Sequence, residues 1–567
     1  MNKLFRSRNS VRYLSILIIV VMIFTGVTGC RKKDTVSKAE SSSRPESTTS
    51  FVGSESIDSN SETVYSSEDT SADSTDDYNS TIAGDDSQTT SGKWINPNGK
   101  RNRPQIKVTQ VVNKNGKRYI ERLGLPYLIY GVQITTLDRF ASPTEKQEEE
   151  FYEKAAEINF KTVLKAITWT SVEPEENKYN MYPVQQMLSN AYKYNLQVEM
   201  LWFGGNVCGS TKRAPKYIRE NSTRFPMKDS RDFDYSNAEL IKRECAALKT
   251  VMEYIYDNDP ERRLTVVQVN NETNAGSPFI VQKDAYLNYL NQLGLTVKNS
   301  PQSVVTRVNM VTRTTDLKED YTLAGDILRL DGIDIVGPDL YARNLEYYSN
   351  YIERYSTGDL AENIPHVAEA PGQMDNYPKQ VLNAFSLDAG YDVYELKAFG
   401  SAGADFGIFR YDADKWIKRD GKKKVYYQWD KVVKVNENVT DDIIVLNKMI
   451  AGVAEQIASC PNGNFKMIFR RQSDYIGEQK ITFVTYEEVT ANRVGAAFLA
   501  ADGYYYMFTP AGEGYFRFDN KTLTDSASVG FYEGGEWKET DTAPVEDGNK
   551  INVKKGFVYR IMSSQIK

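Results

Sequence analysis

Two glutamates end two apolar runs. Leu264-Thr-Val-Val-Gln-Val-Asn-Asn-Glu272 carries four apolar residues in its first six and then turns polar, the pattern of a short buried strand. Ile364-Pro-His-Val-Ala-Glu369 repeats it further along the chain. A carboxylate just past the C-terminal end of a buried parallel strand lies where a (β/α)8 barrel keeps its chemistry. Two such carboxylates facing one another are what retaining glycoside hydrolysis requires, one as nucleophile and one as proton donor and acceptor. Other chemistries are poorly supplied. His366 is the sole histidine, so a Ser-His-Asp triad or a histidine-rich metal site has little to draw on. Cys208, Cys245 and Cys460 are widely spaced, without a CxxC pair or any metal-ligand spacing, and read as free thiols. Two-carboxylate chemistry needs neither a metal nor an organic cofactor.

The elements that must position these residues alternate between short apolar runs and amphipathic helical stretches, the signature of βα units around a parallel sheet. Strands are expected over 127–132, 160–166, 197–202, 264–269, 303–310, 333–336, 366–368 and 404–409, with helices over 144–157, 236–257, 284–297, 344–355, 378–387 and 441–458. Eight strands favour a closed TIM barrel, spanning 118–462, over an open doubly wound sheet. No Gly-rich phosphate loop argues otherwise. A long insertion at 410–440, with Trp416, Tyr426, Tyr427 and Trp429, would follow the last strand on the catalytic face and could stack on sugars or on itself. From about residue 465 the helical period gives way to short alternating segments separated by turns. A C-terminal β-sandwich is therefore expected over 465–567.

The chain begins differently. Lys3, Arg6, Arg8 and Arg12 precede an apolar core at 14–24, followed by Val27-Thr-Gly-Cys30. This reads as a signal peptide over 1–30. Val-Thr-Gly-Cys resembles the bacterial lipobox, which implies a lipidated Cys30 and a membrane anchor on the outer side of the cytoplasmic membrane. Residues 31–93 are rich in Ser, Thr and Asp, and residues 34–92 hold 13 acids against 2 bases. They have too few large apolar side chains to offset ordering entropy and are expected to be a disordered tether. Residues 1–33 carry +7 and the whole chain −6, so the remainder is nearly neutral and gives no sign of a nucleic-acid partner.

Taken in order, Lys161-Thr-Val163, Trp169-Thr-Ser-Val-Glu-Pro174, Gln268-Val-Asn-Asn-Glu272, Asp334-Ile-Val-Gly-Pro-Asp-Leu-Tyr341 and Glu369 resemble the motif series of the β-galactosidase-like glycoside hydrolases, families 35 and 42. Ala214-Pro-Lys-Tyr-Ile218 and Arg224-Phe-Pro226 add to the likeness, which spans roughly 118–410. The resemblance implies that Glu272 is the acid/base and Glu369 the nucleophile. It implies that Asn271 contacts the substrate 2-hydroxyl and that Tyr341 lies near the nucleophile; Trp169 and Trp202 fall at strand ends facing the pocket, as its walls or as core. Tyr341 and similar donors would keep Glu369 ionised, while burial and the charge of Glu369 would hold a proton on Glu272. Asn270, where family 35 usually has Glu, and Asn177, where a glycine is usual, depart from the pattern and bear on sugar specificity. A carbohydrate substrate is implied. A barrel that binds glycans without cleaving them, or a mannosidase or glucanase of the same barrel group, are the alternatives.

Overall fold

The computed structural model describes residues 104–134, 145–229, 231–276, 278–312, 317–342, 344–372, 377–399, 407–419, 424–434, 436–469, 484–488 and 494–567. The expected signal peptide, Cys30 and the expected tether lie outside these residues. So do the side chains of Trp416, Tyr426, Tyr427 and Trp429.

Eight parallel strands close into a barrel. In chain order they are β1 (Tyr130–Gln133), β2 (Thr162–Thr168), β3 (Gln197–Phe203), β4 (Leu264–Asn270), β5 (Val305–Val311), β6 (Ile335–Asp339), β7 (His366–Pro371) and β8 (Gly390–Tyr394). Each is followed by a long helix: α1 (Glu145–Glu157), α2 (Tyr182–Lys193), α3 (Ala238–Asn258), α4 (Pro278–Lys298), α5 (Leu317–Leu328), α6 (Leu345–Arg354), α7 (Tyr377–Ser386) and α8 (Glu437–Gly452). The starts of α3, α6 and α8 carry asparagine side-chain caps, which satisfy amides that the helix itself leaves unpaired. Asn237 accepts from Glu239 and Leu240 N–H at 2.9 Å each, and Asn344 caps α6 in the same way.

The eighth strand corrects the sequence reading, which put it at 404–409. The strand that closes the sheet between β7 and β1 is Gly390–Tyr394. Phe409 instead begins a hairpin of Phe409–Arg419 and Lys424–Lys434. Gly390-Tyr-Asp-Val-Tyr394 has a charged residue at its centre, which disguises a buried strand. α2 and α5 were also not foreseen, nor was the three-stranded sheet Thr109–Lys114, Lys117–Arg122 and Leu125–Tyr127 ahead of the barrel.

That sheet covers the N-terminal end of the barrel. Thr109 Oγ1 donates to the Thr265 carbonyl at 2.5 Å and accepts from Val305 N–H at 2.8 Å. Ile120 packs with the lowest interior layer of Ile129, Val266, Val305, Ile335 and Ile364. The layer above is ionic. Arg307 on β5 pairs with Glu199 of β3 at 3.2 Å and with Asp392 of β8 at 3.3 Å, while His366 Nε2 lies 2.8 Å from Asp392. All four side chains are fully buried. Gly337 makes room for them, since a Cβ there would lie 2.5 Å from the His366 carbonyl oxygen. Burial pushes Glu199 and Asp392 up to about 7, with Arg307 pulling both back. It pushes His366 well down, helped by Arg307, and leaves the imidazole neutral at pH 7.

Beyond α8 the chain forms an antiparallel six-stranded sheet and an antiparallel four-stranded sheet, a β-rich domain after the barrel. The larger sheet packs on α7 and α8. Phe465 lies edge-on to Phe385 with centroids 6.0 Å apart. Gly452 of α8 lets Phe531 approach, because a Cβ there would be 2.5 Å from its ring.

Candidate active site

The C-terminal ends of β4 to β8 gather the polar residues. β4 is apolar along its outward face and runs out at Asn270. Asn270 is structural: its amide donates to the Asn206 carbonyl at 2.9 Å, and its oxygen accepts from Tyr286 and Thr273 hydroxyls. Asn271 is buried, accepting from Gln268 Nε2 at 2.8 Å and donating to the Cys208 sulfur at 3.1 Å. Glu272 follows with φ +49°, a left-handed conformation that non-glycine residues seldom adopt and that clusters at functional sites. Its N–H is taken by Asn309 Oδ1 at 2.8 Å.

Glu369 sits near the end of β7 and is 7 % exposed. The β7–β8 register shifts between Val367 and Ala370, and a bulge of this kind re-aims a side chain next to an active site. Tyr341, just beyond β6, donates its hydroxyl to Glu369 Oε2 at 2.5 Å. Asp339 of β6 is the register partner of Glu369, so a third carboxyl enters the site. Asn309 Nδ2 donates to both Asp339 oxygens, at 2.9 and 3.1 Å.

The electrostatics follow from burial. Glu369 is pushed up to about 8, first by burial and then by the charge of Glu272, against the opposing pull of the Tyr341 hydroxyl and Arg307. Glu272 is raised by burial and relieved in part by a hydrogen bond from the Cys208 thiol. Asp339 is held well above the usual carboxylate range by burial and by both glutamates. Clustered carboxyls that interact this strongly release protons as a set rather than singly. Tyr341 is thus the donor expected beside Glu369, but burial and the charge of Glu272 outweigh it, so Glu369 is raised rather than held ionised. One carboxyl can act as an acid while the other acts as an anion.

Glu272, Glu369, Asn271 and Tyr341 therefore meet at one end of the barrel, whereas Trp169 and Trp202 do not join them. On β3, Glu199 faces inward, so Trp202 three positions on faces outward. Its indole N–H donates to Glu244 of α3 at 3.0 Å. Trp169 donates to Glu173 at 2.9 Å, and Glu173 is paired with Arg243 of α3. Both tryptophans are fully buried between strands and helices. The assignment to the pocket wall is corrected: each ring fills the barrel–helix layer, where a buried glutamate takes its N–H.

Asn309, Asp339, Arg307 and Cys208 were missed. A signal was present for two of them. Arg307 and Asn309 stand two apart in a strand whose other residues are apolar except Thr306, so they share one face. The thiols of Cys208, Cys245 and Cys460 are free.

Residues 285–465 match a family model described as a domain of unknown function, DUF4978. No curated protein matches the sequence. Among solved structures, a family 39 glycoside hydrolase from Bacteroides cellulosilyticus WH2 aligns with 14 % identity and a TM-score of 0.42, over 79 % of this chain and 84 % of that one. An exo-β-1,4-mannosidase from Opitutaceae bacterium strain TAV5 aligns with 13 % identity and a TM-score of 0.39, over 48 % of this chain and 53 % of the other. This chain thus spans about half the length of that mannosidase. A β-galactosidase from the psychrophilic Marinomonas ef1 aligns with 11 % identity and a TM-score of 0.40, over 59 % and 62 %.

Proposed function

We propose that this protein is a retaining glycoside hydrolase acting on β-linked glycosides, β-galactosidase-like in its motifs. The observation that carries this reading is the pairing of half-buried Glu272 with buried Glu369 at the C-terminal ends of β4 and β7, with Tyr341 donating to Glu369. In the productive state Glu272 carries a proton, and Tyr341 stabilises the Glu369 anion. A Glu369 oxygen attacks the anomeric carbon as the glycosidic C–O bond breaks, and Glu272 gives its proton to the leaving oxygen. Glu272, now ionised, takes a proton from water, whose oxygen attacks the anomeric carbon and releases Glu369. Retention requires the two carboxyls to stand about 5–5.5 Å apart. Asn271, placed immediately before the acid/base, is the candidate ligand for the sugar 2-hydroxyl.

The lipobox-like Val27-Thr-Gly-Cys30 supports a cell-surface location, with a lipid on Cys30 and residues 31–93 as the tether. Loss of fatty-acid labelling in Cys30→Ser would test it.

The activity is tested by hydrolysis of a panel of aryl β-glycosides, with Glu272→Ala and Glu369→Ala alongside. The expected result is cleavage of at least one sugar by the wild type and loss in both variants, with azide restoring turnover and yielding an α-azide from Glu369→Ala and a β-azide from Glu272→Ala. Cleavage that survives in both variants would refute the assignment.

A further inference from the structure

We infer that Asn309 is a positioning residue that holds Glu272 in its left-handed backbone and ties it, through Asp339, to the strand pair carrying Glu369. The inference rests on the roles proposed above for the two glutamates. Asn309 is fully buried at the inner face of β5. Its side-chain oxygen takes the Glu272 N–H at 2.8 Å and its backbone oxygen takes the Thr273 N–H at 3.0 Å. The turn at Glu272 is thus gripped on both of its leading amides by one residue. A conformation as sparsely populated as φ +49° persists only where its surroundings over-determine it, and Asn309 supplies that constraint.

The orientation of Asn309 is itself determined. An amide has one acceptor and one double donor. With its oxygen committed to Glu272, its nitrogen must face Asp339, which accepts on both oxygens at 2.9 and 3.1 Å. Asp339 is anchored in turn, because Thr312 Oγ1 donates to its carbonyl and the next residue, Leu340, donates its N–H to the Glu369 carbonyl at 2.7 Å. A continuous chain of hydrogen bonds therefore runs from the backbone of the acid/base across β5 and β6 to the backbone of the nucleophile. No substrate contact is needed for this role.

Asn309→Asp leaves an acceptor for Glu272 but removes the amide donor to Asp339, so the strut becomes repulsive as pH rises and both carboxyls ionise. The swap Asn309→Asp with Asp339→Asn reverses the polarity of the central hydrogen bond while keeping the acceptor for Glu272. It also preserves the net charge. The experiment measures kcat, KM and their pH dependence, together with Tm between pH 5 and 9, for wild type, Asn309→Asp, Asp339→Asn and the swap.

The expected result is a loss of about tenfold to a hundredfold in kcat for Asn309→Asp with KM little changed, and recovery to within a few-fold of wild type in the swap. Tm of Asn309→Asp should fall further as pH rises, because the crowded carboxyls bind a proton in the folded state that the unfolded chain releases. The swap should remove that slope. The inference is overturned if Asn309→Asp keeps the wild-type kcat and pH profile, or if the swap is no better than Asn309→Asp. An Asn309→Asp chain that does not fold is judged by the swap alone, which must fold and turn over for the inference to stand. Should the wild type hydrolyse no glycoside while the swap still restores Tm, the strut is architectural, and both the proposed function and the positioning role fall.

Discussion

The Tyr341 hydroxyl lies 2.5 Å from Glu369 Oε2, and its ring stands edge-on to Tyr394 with centroids 6.0 Å apart. Tyr394 ends β8, so the donor is braced from a strand end on the far side of β7. Hydrogen bonds to a charged acceptor are stronger than neutral ones, about 1.5–3 kcal/mol. Tyr341→Phe should therefore lower kcat by about ten- to a hundredfold. It should also move the acid limb of the pH profile upward, since the Glu369 anion loses a donor. A pH profile unchanged from wild type would remove Tyr341 from this role.

The charge of Glu272 helps to raise Glu369 from 4.5 to about 8. Glu272→Gln removes that charge and should shift Glu369 downward. Labelling with a 2-deoxy-2-fluoro glycoside bearing a good leaving group reads this directly, because glycosylation then needs no acid assistance. The midpoint for labelling should fall in Glu272→Gln. Stability should respond with the same sign. A folded carboxyl raised above its unfolded value binds an extra proton between the two, so stability is lost as pH rises from about 4.5 to about 8. Glu272→Gln should lose less across that window in chemical denaturation at several pH values.

Arg307→Met should destabilise the barrel by about 3–5 kcal/mol, because it strands Glu199 and Asp392 without their partner. The triple change adding Glu199→Gln and Asp392→Asn should recover much of that loss. Urea denaturation compares the three proteins. Equal stability of Arg307→Met and wild type would show that the ionic layer contributes nothing.

Trp202→Phe distinguishes pocket from packing. The indole fills the barrel–helix layer and donates to Glu244. Its loss should lower Tm, with Glu244 left short of one donor, and leave KM for glycosides within about twofold. A large rise in KM would return Trp202 to the pocket.

The thiol of Cys208 is held protonated by burial and by both glutamates. It should therefore alkylate far more slowly in the native protein than in urea, with Cys208→Ala as the control. Rapid native alkylation would remove it as a donor to Glu272.

Much of the barrel was legible in the chain because seven of its strands hold enough apolar residues to read as buried strands. Glu272 and Glu369 stood out because each breaks an apolar run at its C-terminal end. The eighth strand did not stand out. Gly390-Tyr-Asp-Val-Tyr394 is short, has Val393 as its one aliphatic residue and carries Asp392 at its centre, so it looks like a loop until Arg307 and His366 are seen beside it. The tryptophans misled for a related reason. Motif position marks a residue as near the strand end, but one step along a strand changes the face it presents.

By itself the sequence determined seven of the eight barrel strands and six of the eight helices that follow them, the change to a β-rich domain near residue 465, and the two glutamates at strand ends. These are local properties, set by periodicity and by polar residues interrupting apolar runs. Only the tertiary structure decided that Asp339 joins the glutamates, that Asn309 spans them, that Tyr341 reaches Glu369, and that Trp169 and Trp202 turn away. Those facts depend on the shear of the closed barrel and on the bulge in β7. Both fix which side chains share a layer across strands far apart in the chain.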